Sequence, residues 1–172
     1  MTAPTPSLTG HGFSISPPPG WEGRIYRRIE PATPNSPHAA AAGAGSRGWL
    51  GEQTLPVVHL ADFALPAIRG DYGSGAVERM RHSNIFLALL QFGPECLGSA
   101  LYRPVGRPKV EASRFNPNGL QRILPGQTGA QYFFTENDRP MCLYVVLGNQ
   151  KGVPAMAAQV NDVLDSIEVS QS

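Results

Sequence analysis

The groups in this sequence that could carry acyl-transfer or acid–base chemistry are a serine between two glycines, a few histidines and one nearby carboxylate. Ser74 lies in Gly73-Ser74-Gly75, one residue short on each side of the G-x-S-x-G turn that lifts a nucleophile above a sheet. A small hydrolase using Ser74, a base at His59 or His82, and an orienting carboxylate at Asp71 is therefore one alternative reading. The four histidines, His11, His38, His59 and His82, form no H-x-x-x-H or H-E pair on a helix, so no metal site is expected. No cofactor is expected either. Gly43-Ala44-Gly45 runs into Ser46-Arg47-Gly48 without the preceding strand and following helix that a phosphate-cradling loop needs. Asp62 and Asp71, and Glu136 and Asp138, border turns, where acidic side chains serve as turn formers rather than as an acid–base pair. Cys96 and Cys142 lie in separate segments without ligand-like spacing and are expected as two reduced core thiols.

Two surfaces suit recognition rather than chemistry. The turn Arg69-Gly70-Asp71-Tyr72, taken with Trp21, offers the aromatic and Arg side chains that dominate binding hot spots, although Trp21 also fits as a core plug at the start of its strand. Arg103, Arg107, Lys109, Arg114 and Arg122, opposed by Glu111 alone and close to Tyr102 and Phe115, form the one local basic bias. It would suit a nucleic acid or a phosphoprotein, or it is simply solvated loop charge. Lys and Arg number 14 against 13 Asp and Glu, a formal +1, so a general polyanion binder is not expected and nucleic acid is an unlikely partner. Twelve of the basic residues are Arg, which with abundant Ala, Gly and Pro reflects the coding bias of a GC-rich, actinobacterium-like genome.

The elements that must position these groups are short. The chain has 172 residues, 41% hydrophobic and 16% charged, with 19 Gly and 17 Pro, which fits one α+β domain over 13–170 with many turns. Residues 1–12 read as a flexible tail, so the fold is expected to start at Phe13. Phe13–Ser16 and Trp21–Ile29 alternate around Pro17-Pro18-Pro19-Gly20 as a hairpin or strand–turn–strand, with Trp21 and Ile25 on one face and Glu22, Arg24 and Tyr26 on the other. A Pro/Ala/Gly-rich stretch at about 31–53 reads as a flexible insertion. Leu55–Phe63 is expected as a strand, Ser74–Met80 as one helical turn capped by Ser74, and Asn84–Phe92, apolar on both faces, as a central strand. Prolines through 93–128 leave room only for short strands. Ala130–Glu136 and Met141–Leu147 form a hairpin beside the central strand. After Pro154, the apolar stripe Met156, Val160, Val163, Leu164, Ile167 predicts an amphipathic C-terminal helix with Gln159, Asn161, Asp162 and Asp165 in water, and Glu168-Val169 as a terminal edge strand.

The N-terminus lacks a basic region followed by an apolar one, and the longest apolar runs fall far short of the ~20 residues a spanning helix needs, so a cytoplasmic protein without a membrane span is expected. The opening Gly12-Phe13-Ser14-Ile15-Ser16 with Pro19-Gly20-Trp21-Glu22, and the closing Val163-Leu164-Asp165-Ser166-Ile167, resemble the two ends of the Mog1/PsbP-like fold family. The resemblance implies a mainly antiparallel sheet packed by helices, and a binding role of the kind filled by a GTPase partner, photosystem extrinsic subunits and secretion chaperones. The expectation is a small non-enzymatic adaptor, chaperone or assembly factor with a protein partner. Its alternatives are a structural subunit of a phage or injection-type assembly and the Ser74/His59/Asp71 hydrolase.

Overall fold

Strict two-residue alternation puts one set of apolar side chains on each face of a strand, and the long strands of this chain carry two such sets. The computed structural model describes residues 6–28 and 55–171. Within them lie β1 (Leu8–Gly10), β2 (Phe13–Ile15), β3 (Glu22–Arg27), β4 (Pro56–Ala61), β5 (Ile85–Gln91), β6 (Thr128–Glu136), β7 (Arg139–Leu147), α1 (Val153–Leu164) and β8 (Ile167–Val169). The result is a mixed α+β fold with two antiparallel sheets and a C-terminal helix. The large sheet has the order β3-β4-β5-β7-β6 and the small one β1-β2-β8. Among the described residues no helix is long and apolar enough to cross a membrane.

Register decides which residues share a face. Gly23, Leu60, Leu87, Val145 and Ala130 stand in one row across the large sheet, and Arg24, His59, Ala88, Tyr144 and Gln131 in the next row, on the opposite face. The first face carries Val58, Leu60, Leu87, Leu89, Leu143 and Val145, and is closed by Met156, Val160, Val163 and Leu164 of α1 and by Phe13, Ile15, Ile167 and Val169 of the small sheet. The second face carries Val57, Phe86, Leu90, Tyr144 and Val146, and is closed by side chains from the connecting segments: Leu65, Ala76, Val77 and Leu120.

Several expectations hold. The central strand is β5, the hairpin is β6–β7 next to it, and the terminal strand is β8. The hairpin turn is tighter than expected. Asn137 and Asp138 take φ of 50° and 60°, leaving Arg139 and Pro140 inside β7, the two-residue geometry that matches strand twist.

Other expectations are corrected. Residues 8–10 are not tail: β1 pairs with β2 through His11 and Gly12, with φ of 51° and 85°, and His-Gly lacks the usual Asn-Gly signature of such a turn. β2 and β3 form no hairpin, because Pro18 to Trp21, with Gly20 at φ 85° and Trp21 N–H donating to Pro18 O at 3.1 Å, carries the chain from one sheet to the other. The helix stops at Leu164, so Ile167 belongs to β8 and closes the same core from a strand. The segment 93–128 holds 3-10 turns rather than strands: Pro94 and Pro117 open those at Pro94–Cys96 and Pro117–Gly119, with further turns at Ala100–Tyr102 and Ala112–Arg114. The fixed φ of proline suits a first helical position and leaves no N–H for a ladder. The Ser74 cap is not made. The 3-10 turn is Val77–Arg79, and Gly75 N–H is instead taken by Glu78 Oε2 at 2.6 Å. The insertion at about 31–53 lies outside the described residues.

Candidate functional site

Tyr26 of β3 and His59 of β4 project from the second face of the large sheet, where the segment after β4 turns back over them. His59 is completely buried. Its Nε2 lies 2.8 Å from the main-chain oxygen of Asp71, and its Nδ1 lies 2.8 Å from Nε of Arg69. A carbonyl only accepts and a guanidinium only donates, so Nε2 carries the ring proton and Nδ1 is the acceptor. The ring is thereby fixed neutral in one tautomer. Burial above all pushes its pKa down to about 4, and the Arg69 charge acts in the same direction against the Asp71 carbonyl, which favours the charged ring.

The rest of the turn is fastened by the same few residues. Tyr26 donates its hydroxyl to Asp71 Oδ1 at 2.7 Å, and burial, reinforced by that carboxylate, raises the phenol well above its ordinary range. Arg69 also donates to Pro66 O at 2.8 Å and lies over the Tyr26 ring. His59 meets Tyr26 edge-on and Phe86 at a tilt, with centroids 5.3 and 5.1 Å away. Main-chain bonds from Gly70 N to Ser74 O and from Gly73 N to Gly70 O close the turn on itself. From this anchored stem Ile68 protrudes with 91% of its surface exposed.

The structure divides the predicted recognition residues. Arg69, Asp71 and Tyr72 come together on the second face, with the Tyr72 ring edge-on to Tyr144 at 5.4 Å. Trp21 instead packs, partly buried, against the first-face core. The Ser74/His59/Asp71 arrangement is not assembled as a relay. His59 meets Asp71 through its main-chain oxygen, and its remaining nitrogen is occupied by Arg69, so it has no lone pair for a serine proton. The Ser74 and His82 residues are exposed, and their side chains make no hydrogen bond to His59, Arg69 or Asp71. Tyr26, the anchor of Asp71, and Ile68, the exposed tip, were not singled out by sequence. Alternation had placed Tyr26 opposite Trp21, which was the available signal.

The basic segment disperses. Arg107 grips Glu136 with both Nε and Nη2, at 3.1 and 2.7 Å, while Nη1 donates to the carbonyls of Leu164 and Ile167. Its charge is spent on one carboxylate and on the negative end of α1. Arg114 lies over the Tyr132 ring, and Arg122 faces Glu78 at 3.7 Å. Of the five, Arg103 and Lys109 are exposed and have no ion pair or ring contact among the described residues. Asn161, expected in water, spans Val110, accepting from its N–H and donating to its carbonyl at 2.8 and 2.9 Å.

Both cysteines are free. Cys142 is buried, with its thiol pushed up to about 12, whereas Cys96 sits half-buried on a 3-10 turn rather than in the core. Among the described residues no group of three or more His, Cys, Asp or Glu could hold a metal ion. Compared with protein-family models, curated proteins and solved structures, the chain matches none.

Proposed function

We propose that this is a protein-binding adaptor, of the chaperone or assembly-factor kind, and that its recognition element is the 66–76 turn. One observation carries the reading. Ile68 is almost wholly exposed on a stem whose Arg69, Asp71, His59 and Tyr26 are held by directed bonds. An apolar tip on a pre-organised support loses little conformational entropy on docking. Two adjoining turns add the charged pair Arg122 and Glu78, and the second of them also carries the 62% exposed Ile123. The Mog1/PsbP-like ends of the sequence support the same class of function, by analogy of fold alone, and a cytoplasmic site of action belongs to this proposal.

The test is affinity purification of the tagged full chain from its native host beside the Ile68→Asp variant. A stoichiometric protein partner that Ile68→Asp loses, at unchanged melting temperature, is the expected result. An identical partner set for both chains would remove the turn from recognition, and no partner for either would remove the adaptor reading.

A further inference from the structure

The formal charge of +1 hides an uneven distribution. On the helix side, residues 149–171 expose Asp162, Asp165 and Glu168 against Lys151. Over residues 62–84 and 120–124, which cover the second face, the balance is reversed. The 3-10 turn Val77–Arg79 carries Glu78 and Arg79, Arg81 follows two residues on, and Arg122 lies on the adjoining turn, all of them exposed. The other carboxylates and guanidinium of this cover are committed inward: Asp62 accepts from Ile85 N and Asn84 Nδ2, Asp71 accepts from Tyr26, and Arg69 donates to His59. Three exposed arginines therefore stand against one exposed carboxylate.

These charges run between the two exposed isoleucines. Gly75 abuts the main chain of Ile68, where a side chain on it would meet the Ile68 oxygen at 2.9 Å. Its N–H donates to Glu78 Oε2 at 2.6 Å, Glu78 Oε1 lies 3.7 Å from Arg122, and Ile123 is the next residue. The Arg122–Glu78 contact is long and the Arg122 side chain keeps 74% of its surface, so the pair leaves the guanidinium free to turn to a partner. Between the same turns is a partly open pocket of about 50 Å³, lined by Glu78 and Arg122 and by the apolar Val77, Leu120 and Val146. A water molecule takes roughly 30 Å³ in the liquid, so the pocket admits only the tip of one small aliphatic side chain. A lipid surface has no such side chain to offer, and an anionic one would set like charge against Glu78. A nucleic acid would need aromatic platforms, and Tyr72, the aromatic of this turn, is set edge-on against Tyr144.

We propose that the surface between Ile68 and Ile123 takes an acidic, apolar peptide segment of a protein partner, whose aliphatic side chains meet the isoleucines and the pocket while neighbouring Asp or Glu side chains meet Arg122 and Arg79. The inference rests on the recognition reading above and adds to it the chemistry of the partner.

The probe is a displayed library of random short peptides, selected on the immobilised full-length protein and then measured on its Ile68→Asp, Arg122→Glu and Arg79→Glu variants, each at unchanged melting temperature. Arg122→Gln replaces a reversal that shifts the melting temperature. The expected result is enrichment of peptides rich in Asp, Glu, Leu, Ile and Val, whose binding Ile68→Asp abolishes and Arg122→Glu weakens by about tenfold, because like charges then face each other. Enriched peptides without an acidic excess, or binding that both arginine variants leave unchanged, would overturn the acidic chemistry, and loss of binding in Ile68→Asp would then still keep the turn as the recognition element. Binding that Ile68→Asp leaves unchanged would remove the turn itself. No enrichment would overturn the inference, and so would co-sedimentation with vesicles of phosphatidylglycerol and phosphatidylcholine in equal parts that Ile68→Asp abolishes, which assigns the surface to a membrane.

Discussion

The two faces of the large sheet are closed by opposite means. On the first, α1 and the small sheet insert apolar side chains between apolar side chains, and the chain's fully buried Leu143, Leu147, Phe134 and Ile15 lie here. On the second, irregular segments without a helix longer than one 3-10 turn are held down by buried polar groups, chiefly His59 and Gln127. A helix satisfies its own backbone bonds and needs only apolar contact to dock. A turn does not, so it has to be fastened by side chains reaching its carbonyls and N–H groups. The difference teaches that the first face is robust to pH and sensitive to volume, while the second is sensitive to the protonation and placement of single groups.

That contrast can be broken by mutation and pH. The largest effect is expected on the first face. Phe134→Ala removes a ring that is 1% exposed and should cost about 3–5 kcal/mol, measured by urea denaturation. Next is the acid dependence of the second face. The folded protein keeps His59 neutral to about pH 4, while the unfolded chain protonates it at its ordinary value near 6.5. The unfolded state therefore binds more protons between these values, and stability falls as pH drops through that window, by roughly 3 kcal/mol in total. Stability is fully present above pH 6.5, and in His59→Gln this component of the slope should vanish against the wild type. If the two chains show equal slopes from pH 6.5 to 4, the second face does not depend on a neutral His59.

Smaller effects sharpen the comparison at its borders. Arg107→Ala leaves Glu136 and two carbonyls near the end of α1 without their donor. Because both charged side chains keep some exposure, 15% and 18%, the expected loss is about 2 kcal/mol rather than that of a fully buried pair. Tyr26→Phe deletes the single bond to Asp71 Oδ1 and should cost about 1 kcal/mol, with faster amide exchange at residues 69–73 and none in β5 or β7. Ile68→Asp, at the exposed tip, should change stability by no more than about 0.5 kcal/mol.

How much of this was legible follows the same division. β5, the β6–β7 hairpin and α1 announced themselves because each buries apolar side chains at a fixed period, and a period is visible in one dimension. The second-face cover has none. Tyr26 and Asp71 are 45 residues apart, and His59 and Asp71 are 12 apart, and nothing in that spacing announces a bond. Strand alternation sets His59 on the face opposite Val58 and Leu60 without saying what covers that face. Its burial depends on a turn that arrives later in the chain. Arg107 read as one of five loop charges, since its partners Glu136, Leu164 and Ile167 lie in other elements. Trp21 and Tyr72 were grouped by residue type, but the Pro18–Trp21 turn and strand alternation put them against different faces.

The most direct test of the account is the titration of the His59 ring, followed by its ¹⁵N shifts from pH 8 to 3.5. The account predicts a neutral ring with the proton on Nε2 that holds to about pH 4, with the amides of residues 69–73 losing protection only as it charges. A ring that titrates near 6.5, or carries its proton on Nδ1, would contradict the Arg69–His59–Asp71 anchor and with it the pre-organised turn.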